Sequence, residues 1–97
     1  METTFTFRNI EATDALKAHA VDKLKKLEKY LIKPTKAHII FQVERFQHLV
    51  EVTVNANGVQ YVSHEKSEDM YASIDKSIHK LERQLKKYKE RIKNHKV

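Results

Sequence analysis

Basic residues recur along the carboxyl-terminal part of the sequence at the spacing of one helix face. At about 100° per residue, steps of three and four residues place side chains in one line along a helix. Among the acidic residues of this region, only Glu90 falls within the line. A row of ammonium and guanidinium groups on a rigid helix suits a polyanion, most commonly a nucleic-acid phosphate backbone. The row consists of Lys76, Lys80, Arg83, Lys87 and Arg91, with His79 and Lys86 beside it.

The net charge of +6 is concentrated in two segments of the chain. Asp14 to Lys33 carries +3 and Ser67 to Val97 carries +4, whereas Pro34 to Lys66 sums to zero and Met1 to Thr13 to −1. This segregation favours a binding face over general solubility, although a solvated lysine-rich face remains the alternative. The first charged segment adds Lys23 and Lys26 on one helix flank, with Lys25 and Lys29 further out.

Three tyrosines near the basic segments could stack on bases. Tyr71 and Tyr88 lie on the apolar stripe of the second predicted helix, so we expect them in the core. Tyr30 lies at the end of the first predicted helix beside its basic flank, and both a stacking and a core position stay open for it.

The composition argues against catalysis and metal binding. The sequence has no cysteine and one glycine, so a thiolate site and a phosphate-cradling glycine loop are not expected. Its six histidines are scattered and form no H-x-x-x-H pair. We therefore expect a non-enzyme that needs no cofactor or metal. The amino terminus does not resemble a signal peptide and no apolar run approaches a membrane span, so we expect a cytoplasmic protein without a membrane partner.

Hydrophobic periodicity predicts the elements that position these residues. The first helix should begin after a Thr13 N-cap and end near Leu31, before Pro34, and Ser67 or Asp69 should cap the second helix. Asn57-Gly58 predicts a type I′ hairpin turn. The predicted strands are Thr4 to Ile10, Ala37 to Glu44, His48 to Asn55 and Val59 to Glu65, and the second helix runs from about Glu68 to His95.

The order β-α-β-β-β-α predicts an α+β fold in a single domain, residues 1–97, with a frayed tail at 94–97. A helix joins the first two strands, so these strands can pair in parallel, and the remaining strands form an antiparallel meander. The four-stranded mixed sheet should carry both helices on one face. The apolar stripe of the second helix consists of Tyr71, Ile74, Ile78, Leu81, Leu85, Tyr88 and Ile92.

Two blocks of the sequence resemble the ribosome hibernation factor family. The block Glu68-Asp69-Met70-Tyr71 precedes Lys80-Leu81-Glu82-Arg83-Gln84-Leu85-Lys86-Lys87, and the first helix agrees around Lys26-Leu27-Glu28-Lys29-Tyr30. The resemblance covers the whole chain and implies the β-α-β-β-β-α fold. It also implies binding to the small ribosomal subunit in the mRNA and tRNA channel, with inhibition of initiation and protection of idle ribosomes in stationary phase.

The resemblance implies rRNA-phosphate contacts by basic residues of both helices. At positions matching the family these are Lys23, Lys26, Lys80, Arg83, Lys86 and Lys87, whereas Lys76 and Arg91 rest on the helical line alone. The basic end Lys93 to Val97, with no second domain after it, is similar to the short hibernation-promoting type. In that type the protein, a monomer when free, assists formation of inactive ribosome dimers together with a separate modulation factor.

Two functions of other classes stay open at this point. The family has also been labelled a modulator of an alternative sigma factor, a role that would use the uncovered sheet face or the helix ends. Two helices over a small sheet also resemble a general double-stranded RNA-binding module.

Overall fold

The computed structural model describes residues 1–31, 35–56 and 58–94, with side chains of the last range as far as Lys87. The predicted β-α-β-β-β-α order is confirmed. A 3₁₀ segment, Lys25–Tyr30, directly continues the first helix. The elements are β1 Glu2–Arg8, α1 Asp14–Leu24, β2 Lys36–Glu44, β3 Gln47–Ala56, β4 Val59–Ser67 and α2 Met70–Asn94.

The four strands form one mixed sheet in the order β1-β2-β3-β4. β1 pairs in parallel with β2, and β2, β3 and β4 form an antiparallel meander. In this register Phe5, Ile39, Val52 and Ser63 lie side by side across the sheet. Since successive side chains alternate between the faces of a sheet, this row and its neighbours two residues away form one face, which the helices cover.

The core lies between this sheet face and the two helices, as predicted. Ile39, Phe41, Val50, Val52 and Val54 are at most 1% exposed. The Phe41 ring stacks on Phe7 with 4.6 Å between ring centroids. Of the predicted apolar stripe of the second helix, Ile74, Ile78, Leu81 and Leu85 join this core. The first helix and the 3₁₀ segment add Leu16, Leu24 and Leu27.

The prediction of one α-helix as far as Leu31 is wrong in its last third. α1 ends at Leu24 and the chain continues as a 3₁₀ helix, in which residues three apart lie above one another. Leu27 and Tyr30 therefore follow Leu24 in one row: Leu27 is fully buried and Tyr30 is half-buried against the core. Leu31 is only half-buried. Pro34, expected to stop the helix, lies outside the described residues.

The first strand lies two residues earlier than predicted. β1 begins at Glu2, whose N–H donates to the Thr35 carbonyl over 3.2 Å beside the start of β2. It ends at Arg8 because Asn9 adopts a φ of 58°, a left-handed conformation that asparagine tolerates better than most residues. The alternation of Phe5 and Phe7 with threonines agrees with the observed strand, but it does not indicate that the strand ends at Arg8.

Side chains at two element boundaries agree with the predictions, and a third boundary is described in part. The Thr13 hydroxyl accepts from the Leu16 N–H over 3.2 Å and caps α1. The Asp69 carboxylate accepts from the N–H groups of Tyr71 and Ala72 and caps α2. Gly58 has a φ of 76° in the two-residue turn between β3 and β4, whereas its predicted partner Asn57 lies outside the described residues. Residues 95–97 of the predicted tail also lie outside them.

We expect the Leu81→Ala substitution to lower the free energy of unfolding by about 2–5 kcal/mol. Leu81 has no exposed surface, so the truncation leaves a cavity between α2 and the sheet. Chemical unfolding monitored by circular dichroism would measure the loss. A change below about 0.5 kcal/mol, as is usual for a surface site, would contradict the burial of Leu81.

Candidate nucleic-acid interface

The helix α2 presents its basic residues on the side opposite to the core. Ile74, Ile78, Leu81 and Leu85 on its inner side are at most 4% exposed. The basic residues as far as Lys87 extend over roughly 16 Å of the helix, given a rise of about 1.5 Å per residue. Lys76, Lys80, Arg83 and Lys87 are all exposed, as are Lys86 and His79. We call the first four the basic row.

Serine hydroxyls fix the orientation of α2 on the sheet. The chain contains four serines, and all four lie where α2 crosses β3 and β4. The Ser73 hydroxyl donates to the His48 carbonyl over 2.7 Å and the Ser77 hydroxyl donates to the Val50 carbonyl over 3.2 Å. Small side chains let a helix lie close to a strand, and these bonds satisfy hydroxyls that are buried without access to water.

The other two serines come from β4 and face the helix. The Ser63 hydroxyl donates to the Ser77 carbonyl over 2.8 Å, and the Ser67 oxygen lies 2.6 Å from that of Ser73. We call the four residues Ser63, Ser67, Ser73 and Ser77 the serine seam. Hydrogen bonds need defined distances and angles, so the seam resists rotation of α2 about its axis. The basic row is thereby held facing outward.

The serine seam was not predicted from the sequence. The signal was present as two pairs with a spacing of four, Ser63 with Ser67 on one face of β4 and Ser73 with Ser77 on one face of α2. Hydrophobic periodicity ignores such residues because it counts only apolar side chains.

Lys80 differs from the rest of the basic row because an acidic side chain of the sheet reaches it. Its ammonium group lies 3.2 Å from the Glu65 carboxylate on β4. Within the described residues, Lys76, Arg83, Lys86 and Lys87 form no ion pair and no hydrogen bond through their side chains. Their positive charges are therefore available to a ligand, whereas the Glu65 carboxylate offsets part of the charge of Lys80.

A shallow groove separates α2 from α1 and the 3₁₀ segment. Lys23 and Lys26 line it from one side, and Asp75, His79 and Glu82 line it from α2. Lys26 is exposed but Lys23 is half-buried. Among the described residues, no lysine or arginine of α2 lines this groove, so Lys23 and Lys26 stay apart from the basic row. The two basic flanks do not merge into one uniformly basic surface, because two carboxylates lie between them.

The groove is closed at one end by a contact between the helices. The His19 ring nitrogen Nε2 lies 2.8 Å from the Asp75 carboxylate. The same ring meets Tyr71 edge-on with 4.9 Å between ring centroids. His79 approaches Glu82 less closely, at 3.9 Å. Asp75 and Glu82 thus have local partners, which accounts for their presence beside a basic surface.

The prediction that Tyr71 is a core residue is wrong. Tyr71 is 40% exposed, and Met70 takes the core position at 4% exposure. Met70 is four residues before Ile74 and Tyr71 is three before it, so Tyr71 is turned about 60° away from Ile74 towards α1. The side chains of Tyr88, Ile92 and Arg91 belong to the part of α2 whose side chains are not described.

Two further findings concern other classes of site. Among the described residues, no three histidine or acidic side chains come together in a group that could hold a metal ion. In the same part of the chain, no helix is long and apolar enough to cross a membrane.

The protein is thus a small α+β domain in which a helix with an exposed row of basic residues packs on a four-stranded sheet. The sequence profile of the family described as "Sigma 54 modulation protein / S30EA ribosomal protein" matches residues 3–93. The chain belongs to this family, as the resemblance indicated.

Curated relatives of nearly the same length carry one name. A protein called ribosome hibernation promoting factor from Salmonella typhimurium is 35% identical over 95 residues, which are 98% of this chain and 100% of that protein. A protein of the same name from Escherichia coli strain K12 is 36% identical over the same shares.

Solved structures of similar proteins share the fold. The amino-terminal domain of Protein Y from Thermus thermophilus superposes with a TM-score of 0.86 at 28% identity, covering 91% of this chain and 99% of that domain. A ribosomal subunit interface protein from Coxiella burnetii gives a TM-score of 0.79 at 31% identity, covering 92% and 98%.

We expect Ser73→Ala to destabilise the protein by about 1–3 kcal/mol, the usual cost of removing one partner of a buried hydrogen bond. Ser73 has no exposed surface, and its loss removes the contacts to His48 and Ser67. Thermal and chemical unfolding would measure the effect. Gln60→Ala, at an exposed position of β4, is the control and should change stability by less than about 0.5 kcal/mol. Equal stability of both variants would show that the seam contributes nothing.

Proposed function

We propose that this protein is a cytoplasmic ribosome hibernation factor that binds the small ribosomal subunit through its two basic helices. The basic row would lie against rRNA phosphates in the channel that mRNA and tRNA use. Occupation of that channel would block initiation and keep inactive ribosomes intact, without any enzymatic step. Family membership, and the name shared by relatives that align over nearly the whole chain, support this proposal.

One observation carries the proposal: the basic row is exposed, and most of it has no partner within the described protein. Lys76, Arg83 and Lys87 contact no carboxylate there. Surface lysines kept only for solubility gain from acidic neighbours three or four residues away along the helix. Lys76, Arg83 and Lys87 have no such partner among the described residues, but a preorganised row of cations can release condensed counterions from RNA.

The local surroundings rank the proposed contacts. Arg83 and Lys87, with Lys76, should contribute most because they are exposed and unpaired. Lys86 is also exposed beside them on α2, and Lys26 is exposed on the other side of the groove. Lys80 would have to share its charge with Glu65, and Lys23 is half-buried near acidic groups, so both should contribute less. Arg91 stays a proposed contact on the helical spacing alone.

A protein-binding role is the second candidate, because the family description includes sigma 54 modulation. That role would use the sheet face that the helices leave uncovered, where Ile40 and Leu49 are half-buried and Val62 is 45% exposed. Binding to isolated polymerase holoenzyme in the absence of ribosomes would favour it. Equal affinity for naked duplex RNA and for ribosomes would instead favour a general double-stranded RNA binder.

We expect binding to small subunits that weakens steeply as the salt concentration rises. Each phosphate that a lysine or arginine neutralises releases counterions, so the logarithm of the binding constant should fall linearly with the logarithm of salt. Co-sedimentation with isolated small and large subunits over a several-fold range of salt would measure this. Pelleting with large subunits alone, or binding that ignores salt, would contradict the proposal.

We expect the double variant Arg83→Ala/Lys87→Ala to lose ribosome binding and translation inhibition together while keeping its stability. Both side chains are exposed, so each change should alter the free energy of unfolding by no more than about 0.5 kcal/mol. A cell-free translation assay and thermal melts on the same preparations would separate function from folding.

Lys25→Ala is the matched control for this double variant. Lys25 is exposed, as Arg83 and Lys87 are, but it lies on the 3₁₀ segment and does not line the groove between the helices. Its replacement should weaken binding less. If the double variant melts normally and still inhibits like the unmodified protein, the basic row is only a solvated face.

A further inference from the structure

The hairpin between β2 and β3 exposes an aromatic side chain at its tip. Glu44 pairs with Gln47, so the turn consists of only Arg45 and Phe46. The Phe46 side chain is 87% exposed, about twice as much as any other large exposed hydrophobic residue in the described chain. The turn is short and the strands pair along their whole length, so the ring projects from a rigid support.

The backbone of this tip is also unfavourable for its sequence. Arg45 has a φ of 54°, a conformation that glycine adopts readily and residues with a Cβ do not. The hairpin between β3 and β4 has a two-residue turn as well, and there Gly58 takes the positive φ of 76°. The same sheet thus uses glycine in one turn and a strained arginine followed by an exposed phenylalanine in the other. The stability of the turn does not explain an arginine with a positive φ at position 45. Residues with a strained backbone conformation concentrate at functional sites, including binding sites.

Polar and charged groups surround the projecting ring. An open concavity beside the Phe46 ring is lined by Arg45 and Lys66 and by the carboxylates of Glu44 and Glu68. Glu44 accepts a hydrogen bond from the Gln42 amide over 2.7 Å. Arg45 and Lys66 form no ion pair or side-chain hydrogen bond within the described residues. An aromatic anchor for a protein partner is normally ringed by residues that exclude water, and this ring lacks such neighbours.

We infer that Phe46 is a stacking platform for an unpaired nucleobase, with Arg45 beside it to meet the adjoining phosphate. Unpaired RNA bases are recognised by stacking on aromatic rings and on guanidinium planes, and this tip offers both on consecutive residues. The inference rests on the proposed function and extends it: the hairpin tip would add a contact to rRNA bases separate from the phosphate contacts of the basic row.

The absence of tryptophan in the sequence permits a direct test by fluorescence. In the Phe46→Trp variant the new indole is the only one of this chain, so subtracting the emission of an identical sample with the unmodified protein isolates its signal. Stacking on a base should quench this emission strongly when small subunits saturate the protein. Val59→Trp is the control. Val59 is 42% exposed and lies at the start of β4, the end of that strand far from the β2–β3 turn, so a tryptophan there should show little quenching. Unchanged emission of Trp at position 46, or equal quenching at both positions, would overturn the inference. A blue shift without quenching would indicate an apolar protein contact and would overturn it as well.

Affinity measurements on three substitutions test the same point without a probe. Phe46→Ala and Phe46→Leu should each weaken binding to small subunits, with a loss of about tenfold for alanine, within the range that base stacking on an aromatic contributes. Phe46→Tyr should bind like the unmodified protein, and all three should melt normally because the side chain is exposed. Leucine binding as well as phenylalanine would exclude stacking.

The two proposals fail in different ways in these experiments. If the unmodified protein does not bind small subunits, the proposed function fails and the inference falls with it. If it binds, and loses binding on Arg83→Ala/Lys87→Ala but not on Phe46→Ala, only the inference is wrong.

Discussion

The packing of α2 on the sheet through the serine seam is the constraint on which the rest of the structure depends. Apolar burial keeps the inner side of the helix against β3 and β4, but it is not directional and would tolerate small rotations about the helix axis. Hydroxyls of Ser73 and Ser77 that bond to β3 carbonyls define the rotation. A rotation by one residue, about 100°, would carry the basic row into the sheet or the groove.

The placement of acidic residues is as informative as that of basic ones. Asp75 and Glu82 lie on the side of α2 that faces α1, where His19 and His79 approach them. Glu65 reaches the helix from β4 and touches only Lys80. The outward line of Lys76, Arg83 and Lys87 is left free of acidic neighbours among the described residues. The described acidic groups of this region therefore have local contacts at the edges of the helix and leave its described outer surface positive.

Patterns of apolar residues were sufficient to predict the fold, because strand and helix periods differ and both are visible in the sequence. They located most of the core and the outward side of the basic row. Capping residues indicated Thr13 for the first helix and either Ser67 or Asp69 for the second, of which Asp69 accepts from the first turn of α2. The apolar patterns did not locate the change to a 3₁₀ helix after Leu24, because the three-residue spacing of Leu24 and Leu27 is compatible with both an α-helix and a 3₁₀ helix. Tyr71 was misplaced because a step of three and a step of four are equally compatible with an apolar stripe, and only packing against α1 distinguishes them. The burial of Ser63, Ser73 and Ser77 could not be predicted from hydropathy, because it depends on hydrogen-bond partners that the tertiary structure brings together.

The seam also links the two surfaces that we assign to RNA. The Ser73 hydroxyl bonds to the carbonyl of His48, which lies two residues after Phe46 in the chain. The β2–β3 hairpin is thereby attached to the first turns of α2, from which the basic row begins. A ligand that contacts the row and the hairpin tip together would meet a nearly fixed spacing and would not have to order either element on binding. Such preorganisation lowers the entropic cost of association, so a surface with few apolar contacts can still bind a large, structured RNA tightly.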